Sequence, residues 1–193
     1  MWGHGGHRPD RVGGQFDAVL EAVRSGEAWA FERIFGSLAP VVAAYLAAQG
    51  SAEPDDLTSE VFLGVARNIH HFRGDEAGFR SWVFTIAQRR LTDERRRIGR
   101  RPTFEPLSAA ADTLSPHDVE DAVARSLGTD RVRALCESLK RDQRNVVLLR
   151  LVAQLSVDEV ATVLGKSPGA VKALQRRGLE TIGRILGREG ARP

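Results

Sequence analysis

Ser81, Thr85, Gln88, Arg89, Thr92 and Arg96 recur at intervals that place them on one side of a helix. They offer hydroxyls, an amide and guanidiniums, with no carboxylate among them. Exposed helix faces ordinarily mix signs to form i,i+4 pairs, whereas a face of donors and cations suits phosphates and base edges. The plainer alternative is an Arg-rich helix end that complements its own dipole. A second set is similar: Gly169, Lys172, Ala173 and Arg176 share a face, with Arg177 further round. Small residues beside Lys172 and Arg176 would allow close approach to base edges. A third set, Asp55, Asp56 and Glu60, could hold a hard cation, and His70 and His71 could add nitrogen ligands. Against that, adjacent histidines in a loop often point apart, and an acidic helix start is normally capping and solvation. No nucleophile–base pair and no phosphate-cradling glycine loop occurs. An enzyme or metal protein is therefore the weakest reading, and no catalytic residue, metal or cofactor is expected.

The elements that must position these sets are all helical in period, and no stretch alternates like a strand. Phe79 to Arg97 carries the first set opposite an apolar arc of Phe79, Trp82, Val83, Ile86, Ala87 and Leu91. Trp82 and Phe84 are expected in the core rather than as stacking platforms. Asp75 is the N-cap of this helix, and His70 to Asp75 is a connector. Upstream, Phe16–Arg24 is a short helix broken by Ser25-Gly26. Glu27–Phe35 follows, with Trp29, Phe31, Ile34 and Phe35 as its apolar side. Pro40 opens a further helix to about Ala48. Asp55 or Asp56 caps the next, through Asn68, with Leu57, Val61, Phe62 and Val65 at core spacing.

Beyond Arg101 the prolines Pro102, Pro106 and Pro116, among serine, alanine and acidic residues, make a linker. Helices follow at Val132–Leu139 and Asp142–Ala153. Ser156 then caps a short helix with Val157, Val160, Ala161 and Leu164 at i, i+3, i+4 and i+7. Gly165 provides a left-handed stop, and Ser167-Pro168 restart as N-cap and N1. This is a helix–turn–helix layout over 156–177, with Val171, Leu174, Gly178 and Ile182 facing inward.

The chain's 193 residues suffice for one large domain or two small ones, and 42% hydrophobic with 27% charged is ordinary for a globular protein. The net charge of +3 hides segregation. Two basic residues face seven acidic ones between Glu21 and Ala66, while seven arginines face two acids between Gln88 and Arg101. Such blocks suit more than one kind of partner. The single cysteine, Cys136, allows no internal disulfide and reads as a buried small hydrophobe. No run is expected to reach the ~18 apolar residues of a membrane span. The first 14 residues read as a disordered tail, and a cytoplasmic protein is expected.

Both halves resemble the extracytoplasmic-function (ECF) group of the sigma-70 family. Asp56-Leu57-Thr58-Ser59-Glu60-Val61-Phe62-Leu63 resembles that family's region 2.2. Phe72-Arg73-Gly74-Asp75, Phe79-Arg80-Ser81-Trp82 and Ile86-Ala87 resemble regions 2.3 and 2.4. Asp142-Gln143-Arg144, Leu148-Leu149-Arg150, Leu155-Ser156, Glu159-Val160-Ala161 and Val171-Lys172 resemble region 4. Ser59 stands where glutamine is usual, Ala66 where tryptophan is frequent, and Arg89 where asparagine is common. Leu174 and Gln175 stand where many members have arginine and leucine.

The resemblance implies an all-α chain of two small helical domains joined by a flexible acidic linker: region 2 over 15–100, linker over 101–127, region 4 over 128–188. It implies a sigma factor that binds core RNA polymerase and directs promoter-specific initiation. Asp55, Asp56, Ser59, Glu60 and Phe62 would meet the β′ clamp helices. His70, His71, Arg73, Ser81, Thr85, Gln88, Arg89, Thr92 and Arg96 would bind and melt the −10 element. Region 4 would dock on the β flap and read the −35 element through Ser167, Gly169, Lys172, Ala173, Arg176 and Arg177. Promoter DNA and an anti-sigma factor are further implied partners. A two-domain helix–turn–helix regulator acting on duplex DNA is the competing reading. It has no use for an acidic helix followed by an Arg-rich one.

Overall fold

The computed structural model describes residues 15–100 and 134–189. The predicted N-terminal tail, the linker and the start of the second domain lie outside the described residues. Four helices form the first bundle: α1 (Phe16–Arg24), α2 (Ala28–Ala48), α3 (Pro54–Asn68) and α4 (Glu76–Arg100), with a 3-10 turn at Ile69–His71. In the second, among the described residues, a helical stretch at 134–137 precedes α5 (Arg141–Leu151), α6 (Val157–Leu164) and α7 (Pro168–Glu189). No strand occurs among the described residues.

Local signals explain most boundaries. Gly26, at φ 85°, ends α1. The Asp75 carboxylate accepts from the Gly78 N–H at 2.8 Å, so it caps α4 as its position predicts. Ser156 caps α6 in a reciprocal box with Glu159, and Gly165, at φ 60°, closes it in the left-handed conformation. The Ala170 N–H reaches Ser167 Oγ at 3.3 Å at the start of α7.

Three expectations change. Pro40 does not open a helix; it lies inside α2, exposed to solvent. Ile34 and Leu38 before it and Val42, Tyr45 and Leu46 after it all pack inward. At about 1.5–3 kcal/mol per buried side chain, their burial outweighs the roughly 3 kcal/mol penalty of an interior proline. Secondly, α3 starts at Pro54 with no side-chain cap, which leaves Asp55 and Asp56 in its first turn. Thirdly, α2 is long and apolar enough, by length and composition, to cross a membrane, contrary to the sequence reading. Its eight buried residues make it a core helix of this bundle.

Trp29 and Phe35, on the expected apolar side of their helix, are 51% and 40% exposed. The remaining core follows the periodicity: Leu57, Val61, Phe62 and Val65 of α3 and Phe79, Val83, Ala87 and Leu91 of α4 are buried. Cys136 is buried too, and desolvation raises its thiol pKa. In the second bundle Val146, Leu149, Leu155, Val160 and Val171 are fully buried. There α5 and α7 approach closely at Gly178, where a Cβ would stand 2.7 Å from Val147 Cγ2.

The two bundles are not separate bodies. Helix α4 packs against α6 and α2 against α5. The two expected helical domains are both present, and buried residues of both form one contiguous cluster.

Candidate nucleic-acid interface

Helix α4 is three-sided. Its apolar arc enters its own bundle, and Ile86 touches α3 beside Gly64, where a Cβ would meet Ile86 Cγ2 at 3.4 Å. A second stripe, Arg80, Phe84, Gln88 and Arg95, runs at i, i+4, i+8 and i+15. Phe84 stands edge-on to Tyr45 with centroids 5.5 Å apart. Gln88 Oε1 accepts from the Tyr45 hydroxyl at 2.6 Å, and Arg95 donates to the Gln49 carbonyl at 2.7 Å. The third side faces outward and holds the remaining cations.

The predicted donor face is therefore divided. Arg89 and Arg96 are exposed, with Arg96 3.6 Å from Asp93. Thr85 and Thr92 are half-buried, and their hydroxyls donate to the backbone carbonyls of Ser81 and Gln88. Ser81 is only 5% exposed and donates to Ala77 O. Ser81 and Gln88 thus depart from the sequence expectation: packing of α4 against two further elements consumes the side of the helix they occupy.

A cleft of about 450 Å³ opens where the connector meets α4, lined by Asn68, His71, Phe72, Arg73, Trp82, Ile86 and Arg89. Phe72 and Trp82 stack with centroids 5.4 Å apart and planes 26° from parallel. The sequence reading put Trp82 in the core; it is half-buried and forms one wall. Phe72 belongs to the loop from His70 to Gly78, which the sequence marks as the candidate pocket beside the donor face; Asn68 and Ile86 carry no such signal.

The connector is held in shape by cations. The Phe72 carbonyl accepts from Arg24 Nη2 at 2.6 Å and from Arg73 Nη1 at 2.8 Å, and Arg73 also donates to His70 O at 2.7 Å. Gly74 sits at φ 145°, and a Cβ there would stand 3.1 Å from the Phe72 ring. His70, His71 and Arg73 remain exposed. The cleft thus combines an aromatic wall, two guanidiniums and an imidazole. It can take a flat ring against Phe72 and Trp82 and anionic oxygens at its rim.

In the second bundle, Ser167, Gly169, Lys172, Arg176 and Arg177 are exposed and Ala173 is half-buried. Arg176 pairs with Glu180 at 3.2 Å on the surface, a contact easily exchanged for a ligand. Lys166 bonds Asp142 at 3.0 Å and ties the turn to α5. Arg150 donates to Leu155 O and, at 3.4 Å, to Gln175. Helix α7 thus stands on a fixed base.

The acidic set lies on α3. Asp55, Asp56 and Ser59 are exposed; Glu60 is half-buried, 3.7 Å from Arg90 of α4. Phe62 is 2% exposed, its ring edge-on to Phe35 at 4.9 Å. It cannot meet a partner from there, because it faces α2 in the core; its neighbour Leu63 is 56% exposed instead. Among the described residues, no three His, Cys, Asp or Glu side chains are gathered to hold a metal.

Two family models match the chain: sigma-70 region 2 over residues 34–101 and sigma-70 region 4 over 129–182. The ECF RNA polymerase sigma factor BldN of Streptomyces coelicolor is 35% identical over 87% of this chain, which spans 64% of BldN's length. The RNA polymerase sigma factor CarQ of Myxococcus xanthus is 32% identical over 87% of this chain and 95% of its own. The solved structure of CnrH in complex with the cytosolic domain of CnrY shares the fold, with a TM-score of 0.68 and 22% identity over 90% of this chain and 97% of CnrH. That complex corrects one expectation. CnrH is held by a partner of which the cytosolic part is one domain, so the cytoplasm as the sole location does not stand.

Proposed function

The chain belongs to the ECF RNA polymerase sigma factors of the sigma-70 family, and from that premise we propose how its residues divide the work. A sigma factor is not an enzyme; it directs RNA polymerase to promoters through regions 2 and 4.

The −10 element is engaged at the connector cleft and the outer side of α4. One observation carries this: the stacked Phe72–Trp82 pair lies in a cleft rimmed by His71, Arg73 and Arg89. Melting needs no bond chemistry. An unpaired base that stacks on an aromatic gains about 1–3 kcal/mol, which offsets the few kcal/mol lost on unstacking. His70, Thr85, Thr92 and Arg96 extend the surface along the strand. Ser81 and Gln88 join it only when their present contacts are released.

The −35 element is read by α7 through Ser167, Gly169, Lys172, Ala173, Arg176 and Arg177, with the exposed Lys172 and Arg176 as its principal contacts. Asp55, Asp56, Ser59 and Glu60 form the surface for the β′ clamp helices, and Leu63 replaces Phe62 as its apolar member. Region 4 docks on the β flap. The domain limits are 15–100 and 128–188, with 101–127 as linker. An anti-sigma factor is a further partner, of the kind that membership of the family implies.

The test is transcription from a genomic template by core polymerase with and without the purified chain, followed by start-site mapping. Defined starts that core alone ignores are expected. Tight operator binding without any effect on core would favour the duplex-binding regulator instead.

A further inference from the structure

Helix α1 has no part in the surfaces assigned so far, yet it supports the connector cleft from behind at two places. At one, the Phe16 ring centroid lies 5.5 Å from that of Phe79, Phe79 lies 5.2 Å from Phe72, and Phe72 stacks on Trp82. Phe16 and Phe79 are buried, so this row is an apolar backing for the aromatic wall. At the other, Arg24 reaches across 48 residues of chain to the Phe72 carbonyl, which accepts from its Nη2 at 2.6 Å. The Arg24 Nε is buried, and its Nη1 pairs with Glu21 at 3.3 Å.

The same carbonyl accepts from Arg73 Nη1 at 2.8 Å, and so two guanidiniums meet on one oxygen. They are not equivalent. Arg24 is half-buried, stands outside the cleft lining and has Glu21 as counter-ion. Arg73 is exposed, lines the cleft and also donates to the His70 carbonyl at 2.7 Å. Two cations on one acceptor repel each other, and a guanidinium binds a phosphate more strongly than a neutral carbonyl. Arg73 is therefore the one that an arriving strand can draw away. Were it the sole holder, its departure would release Phe72 from Trp82 just when a base needs the pair.

We propose that Arg24 is a positioning residue for promoter melting: it holds the Phe72 carbonyl, and with it the stacked wall, while Arg73 leaves to pair with a phosphate of the −10 strand. Arg24 itself never meets the nucleic acid. This role rests on the assignment of the cleft to the −10 element made above.

The test uses holoenzyme assembled from core polymerase and the full chain. Its template is a fork whose −10 strand, taken from the mapped starts, carries a fluorescent base analogue. Two readouts separate the cations: stacking of the analogue, and the dependence of template affinity on salt. Arg24→Met keeps the apolar stem and removes the donors. It should lose the stacking signal and weaken strand capture by roughly five- to a hundredfold. Its salt slope and its binding to core should match the parent. Arg73→Ala should do the reverse, keeping the stacking signal while the slope falls by about 0.7, the value of one phosphate contact on a single strand.

Stacking retained in Arg24→Met, or lost in Arg73→Ala, would overturn this division of roles. So would a lower salt slope in Arg24→Met, because Arg24 would then itself be touching phosphate. Should Arg24→Met fail to bind core, Arg24→Gln, too short to reach the carbonyl, decides by the same readouts. A parent holoenzyme with no stacking signal would instead remove the −10 assignment of the cleft, and the role of Arg24 with it.

Discussion

The hydroxyl of Tyr45 on α2 donates to Gln88 Oε1 on α4 at 2.6 Å, from a ring with no solvent exposure. Burial pushes the phenol pKa above its ordinary value of 10.0, and the Gln49 hydrogen bond and the Arg95 charge pull back by less. The folded chain therefore keeps this proton after the unfolded chain has lost it. Stability is complete below pH 10.0 and falls as pH rises past it. Tyr45 is the chain's single tyrosine, so phenolate absorbance reports it alone. Denaturant unfolding across that range should show the decline in the parent and a shallower one in Tyr45→Phe, where the buried Cys136 thiol still contributes. At neutral pH, Tyr45→Phe should lose about 0.5–1.5 kcal/mol. A phenol titrating at its ordinary value in the folded chain would contradict the burial.

Gly178 is buried where α7 crosses α5, and its missing side chain is what admits Val147. Gly178→Ala should destabilise the chain by about 1–3 kcal/mol through overpacking, despite the better helix propensity of alanine. Val147→Ala in the same chain should recover part of that loss. Thermal unfolding of the two single variants and the double variant measures the coupling; strict additivity would mean that the two side chains do not meet.

Trp82 walls the cleft without being fully buried. Trp82→Ala should weaken open-complex formation by about 1–3 kcal/mol, the value of one base stack. Binding to core polymerase should stay as it is, and Trp82→Phe should recover much of the loss. Fluorescence of a base analogue in the −10 strand follows the step directly. Equal loss of core binding would indicate damaged packing instead.

Lys172 is exposed on the outer side of α7, with no counter-ion among the described residues. If it contacts phosphate, Lys172→Ala should weaken binding to all duplexes alike and lower the salt slope by about 1. If it reads a base edge, the loss should fall on one position of the −35 element. Titrations at several salt concentrations against a set of single-base variants separate the two outcomes.

Glu60 and Arg90 meet at the surface at 3.7 Å. An exposed pair of this kind contributes about 0–1 kcal/mol, so Glu60→Gln should barely move the unfolding midpoint. It should still weaken association with core polymerase, and more at low salt than at high, since the carboxylate steers a cationic partner. Loss of stability with unchanged association would assign Glu60 to the fold alone.

The parts legible from sequence are those written in short-range chemistry. Ser156 and Gly165 delimit α6, Asp75 caps α4, and the spacing of Leu57, Val61 and Val65 marks the buried side of α3, because caps, left-handed stops and helical period are each set within a few residues. Pro40 misled for the opposite reason: its local preference is overruled by Ile34, Leu38, Val42 and Leu46 packing on either side.

Donor chemistry along α4 and α7, and an acidic start to α3, were determined by the sequence alone, since residue type and helical phase suffice to put like chemistry on one side of a helix. Which of those residues stay available was decided by tertiary structure. Phe62 turns toward Phe35, Ser81 is buried, Gln88 is taken by Tyr45 from 43 residues away, and Gln49 reaches Asn145 across 96. Helical phase gives the direction of a side chain about its own axis. What lies in that direction depends on which helices pack there, and that choice is made by the whole core.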